Sequence, residues 1–151
     1  MSEEITYRQE KWQDCSEEVF ALTALHFDEC DISDGRHKFS PDRAEFNNLA
    51  SAGLLHLTTA RVDGKLIGYL VNMLGRNMLY AAPCSYHIGW YILPEHRGRA
   101  GIEILKASED YLRAIGVERM HGAHTMAVDA QKVFERQGWE LSEKHYTKWN
   151  D

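Results

Sequence analysis

The 151-residue chain has three cysteines, Cys15, Cys30 and Cys84, and no CxxC pair. An odd number at irregular spacing does not make a disulfide framework and reads as reduced thiols in a cytosolic protein. No stretch approaches the ~20 apolar residues of a membrane span. The first residues, Met1 to Glu4, are acidic with no long apolar segment behind them, so no signal peptide is read. Positive charge is the minority: 17 Lys and Arg stand against 23 Asp and Glu, a formal net charge of −6. That balance argues against a general nucleic-acid binder and is compatible with a cationic small substrate. Repeats, low-complexity tracts and linkers are also lacking. With 44% hydrophobic residues, residues 1–151 suit one globular domain with one core.

The local patterns predict ten elements. A short strand covers about Ile5 to Gln9. A helix follows, with Asp14 as N-cap and Glu17 completing a capping box, and with Val19, Leu22 and Leu25 on its apolar face beside His26. "DECDISDGRHKF" is polar and turn-rich, so it reads as a loop. Ser40 caps a second helix with Pro41 at its first position, ending at Gly53. "LLHLTTARVDGKLIGYLVNML" is a hairpin turning at Asp63-Gly64. "APCSY" reads as a loop and "HIGWYILP" as a strand closed by Pro94. Helical spacing of Ile104, Leu105, Ser108, Tyr111, Leu112 and Ile115 gives a long helix ended by Gly116. "VERMHGAHT" reads as a strand, "DAQKVFERQ" as a short helix and "HYTKW" as a last strand. The order β-α-α-β-β-β-α-β-α-β is that of an α+β, or mixed α/β, domain.

Between the fourth strand and the long helix lies "RGRAG", Arg97 to Gly101. A helix start presents unpaired N–H groups and the positive end of the dipole. Small residues let an anion approach them, and arginines add charge-assisted bonds to phosphate oxygens. The segment therefore reads as a phosphate cradle. It is not a Walker loop, because Gly101-Ile102-Glu103 stands where GK[ST] is required, and the GxGxxG spacing of a dinucleotide fold is absent.

"WYILPEHRGRAGIEIL", with the later "AQKVFERQGWE" and the element order, resembles the GNAT superfamily of N-acetyltransferases. The resemblance covers nearly the whole chain. It implies a mostly antiparallel central sheet with parted fourth and fifth strands and flanking helices. It also implies acetyl-CoA as acetyl donor, with CoA as product. Carried over by position, Tyr91 and Ile92 lie on the strand beside the pantetheine. Arg97, Gly98, Arg99, Ala100, Gly101 and Ile102 form the pyrophosphate loop. The R-G-R-x-G form departs from the usual R-G-x-G-x-G and is associated with some prokaryotic and phage-borne members. In the later motif Ala130, Phe134, Glu135, Gly138 and Trp139 match. Phe134 stands where the family often has a tyrosine that protonates the leaving thiolate, and Ala127 where it has asparagine. A thiol of pKa about 8.5 leaves tolerably without that acid.

The reaction so implied is direct attack by a primary amine, of a small molecule or a protein, on the thioester. It needs a proton acceptor, an N–H donor for the carbonyl oxygen, and both substrates held together. His87 at the start of the fourth strand, His124 at the end of the fifth and Tyr146 on the last are the candidates. Lys132 and Arg136 stand within reach of the 3′-phosphate. The acidic run Asp28, Glu29, Asp31, Asp34, Asp42 and Glu45 is placed to attract a cationic amine. His121 and His124 face opposite ways on a strand, so no metal site is expected. No nucleic-acid or membrane partner is expected, and homodimers are frequent in the family. The alternative reading is a CoA-binding module of the same fold without transfer activity, to which Phe134 and Ala127 point.

Overall fold

The computed structural model describes residues 4–124 and 129–151. Its strands are β1 (Thr6–Glu10), β2 (Leu55–Val62), β3 (Lys65–Asn77), β4 (Ala82–Ile92) and β5 (Arg119–His121). They form one sheet in chain order, antiparallel throughout except for the parallel β4–β5 pair. The helices are α1 (Trp12–Cys30), α2 (Arg43–Ser51), α3 (Arg99–Ala114) and α4 (Gln131–Arg136). The expected mixed architecture is present. The β2–β3 turn is at Asp63 and Gly64, with φ of 49° and 79°, the left-handed pair that a two-residue hairpin needs.

Four local expectations are corrected. First, α1 begins at Trp12 rather than after Asp14, and no side chain caps it. Trp12 is only 4% exposed. It stacks on Phe46 at 4.9 Å and meets Phe20 edge-on at 5.4 Å, so aromatic burial sets the start and overrides the capping box. The same helix runs on to Cys30, which is buried, into what read as loop. Second, α2 is capped by Asp42, whose Oδ1 accepts from the Glu45 N–H at 3.0 Å. The helix starts at Arg43, two residues after Pro41, so Ser40 lies too far back to cap it.

Third, "APCSY" is strand. Pro83 pairs with Arg76 on β3, and its carbonyl accepts from the Glu118 N–H at 3.0 Å. The missing proline donor is therefore tolerated where the following residues, Cys84 and Ser85, are fully buried. Fourth, "HYTKW" is not strand. From Trp139 onward the chain is irregular, because β5 offers only three residues to pair. The tail ties back to the α1–α2 loop instead. Trp149 Nε1 donates to Asp34 Oδ2 at 3.0 Å, and Arg36 pairs with Asp151 at 2.6 Å.

The sheet has two faces. Leu57, Tyr69, Val71 and Gly89 point to α1 and α2. His56, Thr58, Asn72 and His87 point to α3. Among the described residues, no helix is long and apolar enough to cross a membrane.

Candidate active site

The site forms where β4 loses its second neighbour. β5 pairs with β4 only over Cys84, Ser85 and Tyr86. Just beyond, Asn72 pairs with His87 and Val71 with Gly89, so Ile88 is an extra residue on β4. This bulge bends β4 away at the point of parting. Past it, the Leu93 N–H donates to the Ile67 carbonyl at 2.8 Å. Antiparallel alternation then turns the backbone groups of Trp90 and Ile92 away from β3, toward the open side. Tyr91, offered as a cofactor contact, has its backbone turned to β3. Its ring lies on the α1 face, stacked on His26 at 4.9 Å.

The loop follows. Gly98 has φ 112° and is the N-cap of α3, with no side-chain cap. A residue with a Cβ is strained there, and the first N–H groups of α3 are left for an anion. Ala100 is 3% exposed and sits in the core, so its small size serves packing of α3. A Cβ added at Gly101 would make only an ordinary contact, 3.9 Å, with the Trp90 ring, so packing does not require the glycine. Ile102 is half-buried on the same turn.

The two arginines differ. The Arg99 side chain is 92% exposed, with Glu103 3.7 Å away. Arg97 is engaged: Nε donates to the Ile92 carbonyl at 2.9 Å, Nη2 to Glu29 Oε2 at 2.5 Å, and the guanidinium lies over Tyr91. The Ile92 carbonyl thus already accepts one bond from Arg97, while the Ile92 N–H faces the open side.

The candidate bases separate as well. His87 is half-buried among Trp90, Phe134 and Trp139, with ring centres 5.6 to 6.1 Å away. Burial pushes its pKa down to about 4, so the ring is neutral near pH 7. His124 also packs near Phe134, 6.4 Å between ring centres, with Asp129 Oδ1 3.5 Å from Nε2. Tyr146 is 91% exposed in the irregular tail and is not brought to the others. Ala130 is the N-cap of α4, its carbonyl accepting from the Phe134 N–H. Ala127 lies outside the described residues. Gly122 is where α4 comes closest to the end of β5. A Cβ there would meet the Phe134 ring at 2.5 Å, so only glycine lets that aromatic cluster seat.

The acidic run is largely taken up by the fold. Glu29 holds Arg97, Asp31 accepts from the Gly35 N–H, Asp34 holds Trp149 and Asp42 caps α2. Beneath α1 lies a cavity of about 70 Å³ lined by Phe20, His26, Phe46, Tyr69, Val71 and Gly89 among others, and no carboxylate faces it. Its polar feature is a pair that the sequence reading missed. His26 Nδ1 and Tyr69 Oη are 2.8 Å apart across 43 positions. The only hint was a histidine beside the apolar stripe of α1. A larger hollow of about 320 Å³, at the β1–α1 junction, contains none of the expected site residues.

Residues 7–139 match the acetyltransferase (GNAT) family. The chain belongs to the GNAT acetyltransferases. No curated protein matches it significantly. Its fold is similar to several solved structures. One is the aminoglycoside N-acetyltransferase AAC(6′)-Iy in complex with CoA, at 19% identity over 99% of this chain and 97% of that one, TM-score 0.74. Another is glucosamine-6-phosphate N-acetyltransferase from Arabidopsis thaliana, at 12% over 99% and 100%, TM-score 0.74. A third is ribosomal-protein-alanine N-acetyltransferase from Brucella melitensis, at 14% over 98% and 99%, TM-score 0.72. These three act on an antibiotic, a sugar phosphate and a protein, so the shared fold leaves the acceptor open.

Proposed function

We propose that this GNAT protein transfers acetyl from acetyl-CoA to a primary amine of a small molecule or peptide, by direct attack. The observation that carries the reading is the conjunction at β4: a strand edge freed by a bulge, running straight into an uncapped helix start behind Gly98. The free N–H groups at the start of α3 and the exposed Arg99 suit a pyrophosphate. The outward N–H groups of Trp90 and Ile92 suit a pantetheine and the developing charge on a thioester oxygen. Acetyl-CoA, when bound, supplies an activated acyl carbon and a thiolate leaving group.

The remaining work falls to the chain. The amine nitrogen forms a bond to the acyl carbon, the carbon–sulfur bond breaks, and the nitrogen sheds one proton. Neutral His87 is placed to take that proton at the parting of the strands, with His124 the second candidate. Phe134 donates nothing, so either another group is the acid or the thiolate departs unprotonated.

The test is calorimetry with acetyl-CoA and CoA, then thiol release over a panel of polyamines, aminoglycosides, amino acids and peptides with free N-termini. Binding with release on one class supports the enzyme. Binding without release on any favours the non-catalytic module. Absence of binding at millimolar cofactor overturns both. Arg99→Glu is expected to weaken binding about tenfold to a hundredfold, the worth of a charge-assisted bond, with the fold unchanged.

A further inference from the structure

Three polar residues stand in one line across the sheet. The register opposes His56 to Asn72 and Asn72 to His87, and directly opposed residues share a face. That face belongs to α3, whose Ser108 Oγ accepts from Asn72 Nδ2 at 3.0 Å, a fully buried bond. The amide nitrogen is thereby engaged by α3, which leaves the carbonyl oxygen of Asn72 as the acceptor in the row. Among the described residues, Asn72 Oδ1, His87 Nδ1 and both nitrogens of His56 are buried with no hydrogen-bond partner. Interior polar atoms in such number are normally met by each other or by ordered water.

We propose that Asn72 is a positioning residue for His87, its carbonyl holding the Nδ1–H tautomer through one bridging water, so that Nε2 presents its lone pair to the attacking amine. A neutral imidazole has one donor and one acceptor nitrogen. Once a buried acceptor claims Nδ1–H, the other nitrogen is the base. The inference rests on the reading of His87 as proton acceptor. It extends that reading inward by two residues, Asn72 and Ser108, that touch no substrate. The other titratable groups around the row are His56 across Asn72, Tyr111 beside His56, Glu109 bonded to Trp139, His121 stacked on Tyr86, and the His124–Asp129 pair.

The experiment is long-range proton–nitrogen NMR of the His87 ring in the 15N-labelled full chain at pH 7, alongside thiol release from acetyl-CoA with the best amine of the panel. The wild type is expected to hold the Nδ1–H tautomer. Asn72→Leu should shift the ring to the Nε2–H form or a mixture. It should also lower kcat about a hundredfold, the low end of what a positioned base contributes, with KM for acetyl-CoA unchanged. Ser108→Ala, a milder change that frees the amide, should give a mixed tautomer. Asn72→Asp keeps an acceptor and should keep Nδ1–H while moving the acid limb of the pH–rate profile upward. His56→Phe should leave the His87 tautomer unmoved. An Nε2–H ring in the wild type, or a tautomer indifferent to both Asn72→Leu and Ser108→Ala, overturns the proposal even if His87→Gln abolishes turnover. Full activity in His87→Gln removes the base reading itself, and with it any catalytic meaning of a pinned tautomer.

Discussion

The two faces of this sheet are built on opposite principles. Against α1 and α2 lie Trp12, Phe20, Phe46, Tyr69 and Tyr91, rings packed within about 5 to 6 Å of one another or of His26. Between the sheet and α3, beside the apolar Leu70, Ile104, Leu105 and Leu112, lie His56, Thr58, Asn72, Ser85 and Ser108, buried and polar, with several atoms unpartnered among the described residues. The first arrangement is what hydrophobic burial produces unaided. The second works against stability, because each unmet polar atom carries a desolvation penalty. It is tolerable because Leu70, Ile104, Leu105 and Leu112 are fully buried on the same side and the aromatic face adds to them. The face that endures the penalty is also the one that carries His87 to the parted strands, a placement expected where local rules yield to function.

The comparison breaks most visibly at Trp12. Trp12→Ala removes a ring held between Phe20 and Phe46 at the very start of α1. A loss of about 3–5 kcal/mol is expected, read as the drop in urea midpoint. A loss under 1 kcal/mol would mean the aromatic face is not the stabilising one.

At the sheet's β1 edge, Arg61 bridges Glu10 and Glu18 with its side chain 12% exposed. Arg61→Ala leaves Glu10 without its cation in a half-buried place, and about 2–4 kcal/mol is expected. Burial pushes the Glu10 carboxyl up, but hydrogen bonds from Arg61 and Thr59 outweigh it and hold the group below its ordinary value. Its contribution is therefore present above the unfolded pKa of about 4.3 and lost as pH falls through the lower folded value. Arg61→Ala should flatten that acid limb in thermal melts recorded from pH 6 to pH 3.

Gly98 gives a smaller and more selective effect. Gly98→Ala places a Cβ on a residue with φ 112°, a strain of about 1–3 kcal/mol. Open space surrounds the position, so the fold should survive. The expected signature is a modest fall in melting temperature with a larger fall in CoA affinity, measured by calorimetry. Equal falls in stability and affinity would assign Gly98 to the fold alone.

Gly98, the Asp63-Gly64 turn and α3 were legible in the sequence because each is decided within a few residues. So was the start of α3 behind Gly98, whose N–H groups belong to the backbone. Trp12, Pro83 and the tail were not. A distant Phe46 fixes where α1 starts, the Glu118 N–H satisfies Pro83, and Trp149 follows Asp34 instead of a sheet edge. The site shows the same division. "RGRAG" announces an anion, but nothing local says that Arg97 turns to Glu29 while Arg99 stays out. Nor could spacing join His26 to Tyr69, or Asn72 to His87 and Ser108, since those pairs exist only once the register is set.

The smallest expected effect is the most informative about the α3 face. His56 is buried with both ring nitrogens unpartnered, and burial holds its pKa below the usual histidine value. A group so depressed contributes nothing adverse above the unfolded pKa of about 6.5. Below that pH the unfolded chain binds a proton that the folded chain refuses, so stability falls as pH drops toward the folded value. His56→Phe replaces the ring by one of similar shape with no nitrogens. At pH 7.5 the change should lie within about 1 kcal/mol of zero, since both unmet atoms leave together. At pH 5 the variant should be the more stable of the two, because one of the buried histidines that must stay neutral is gone. Paired melts of the two proteins across pH 7.5 to 5 read the crossing directly. A variant uniformly less stable at every pH would mean that water already satisfies His56, and that the polar face is as well bonded as the aromatic one.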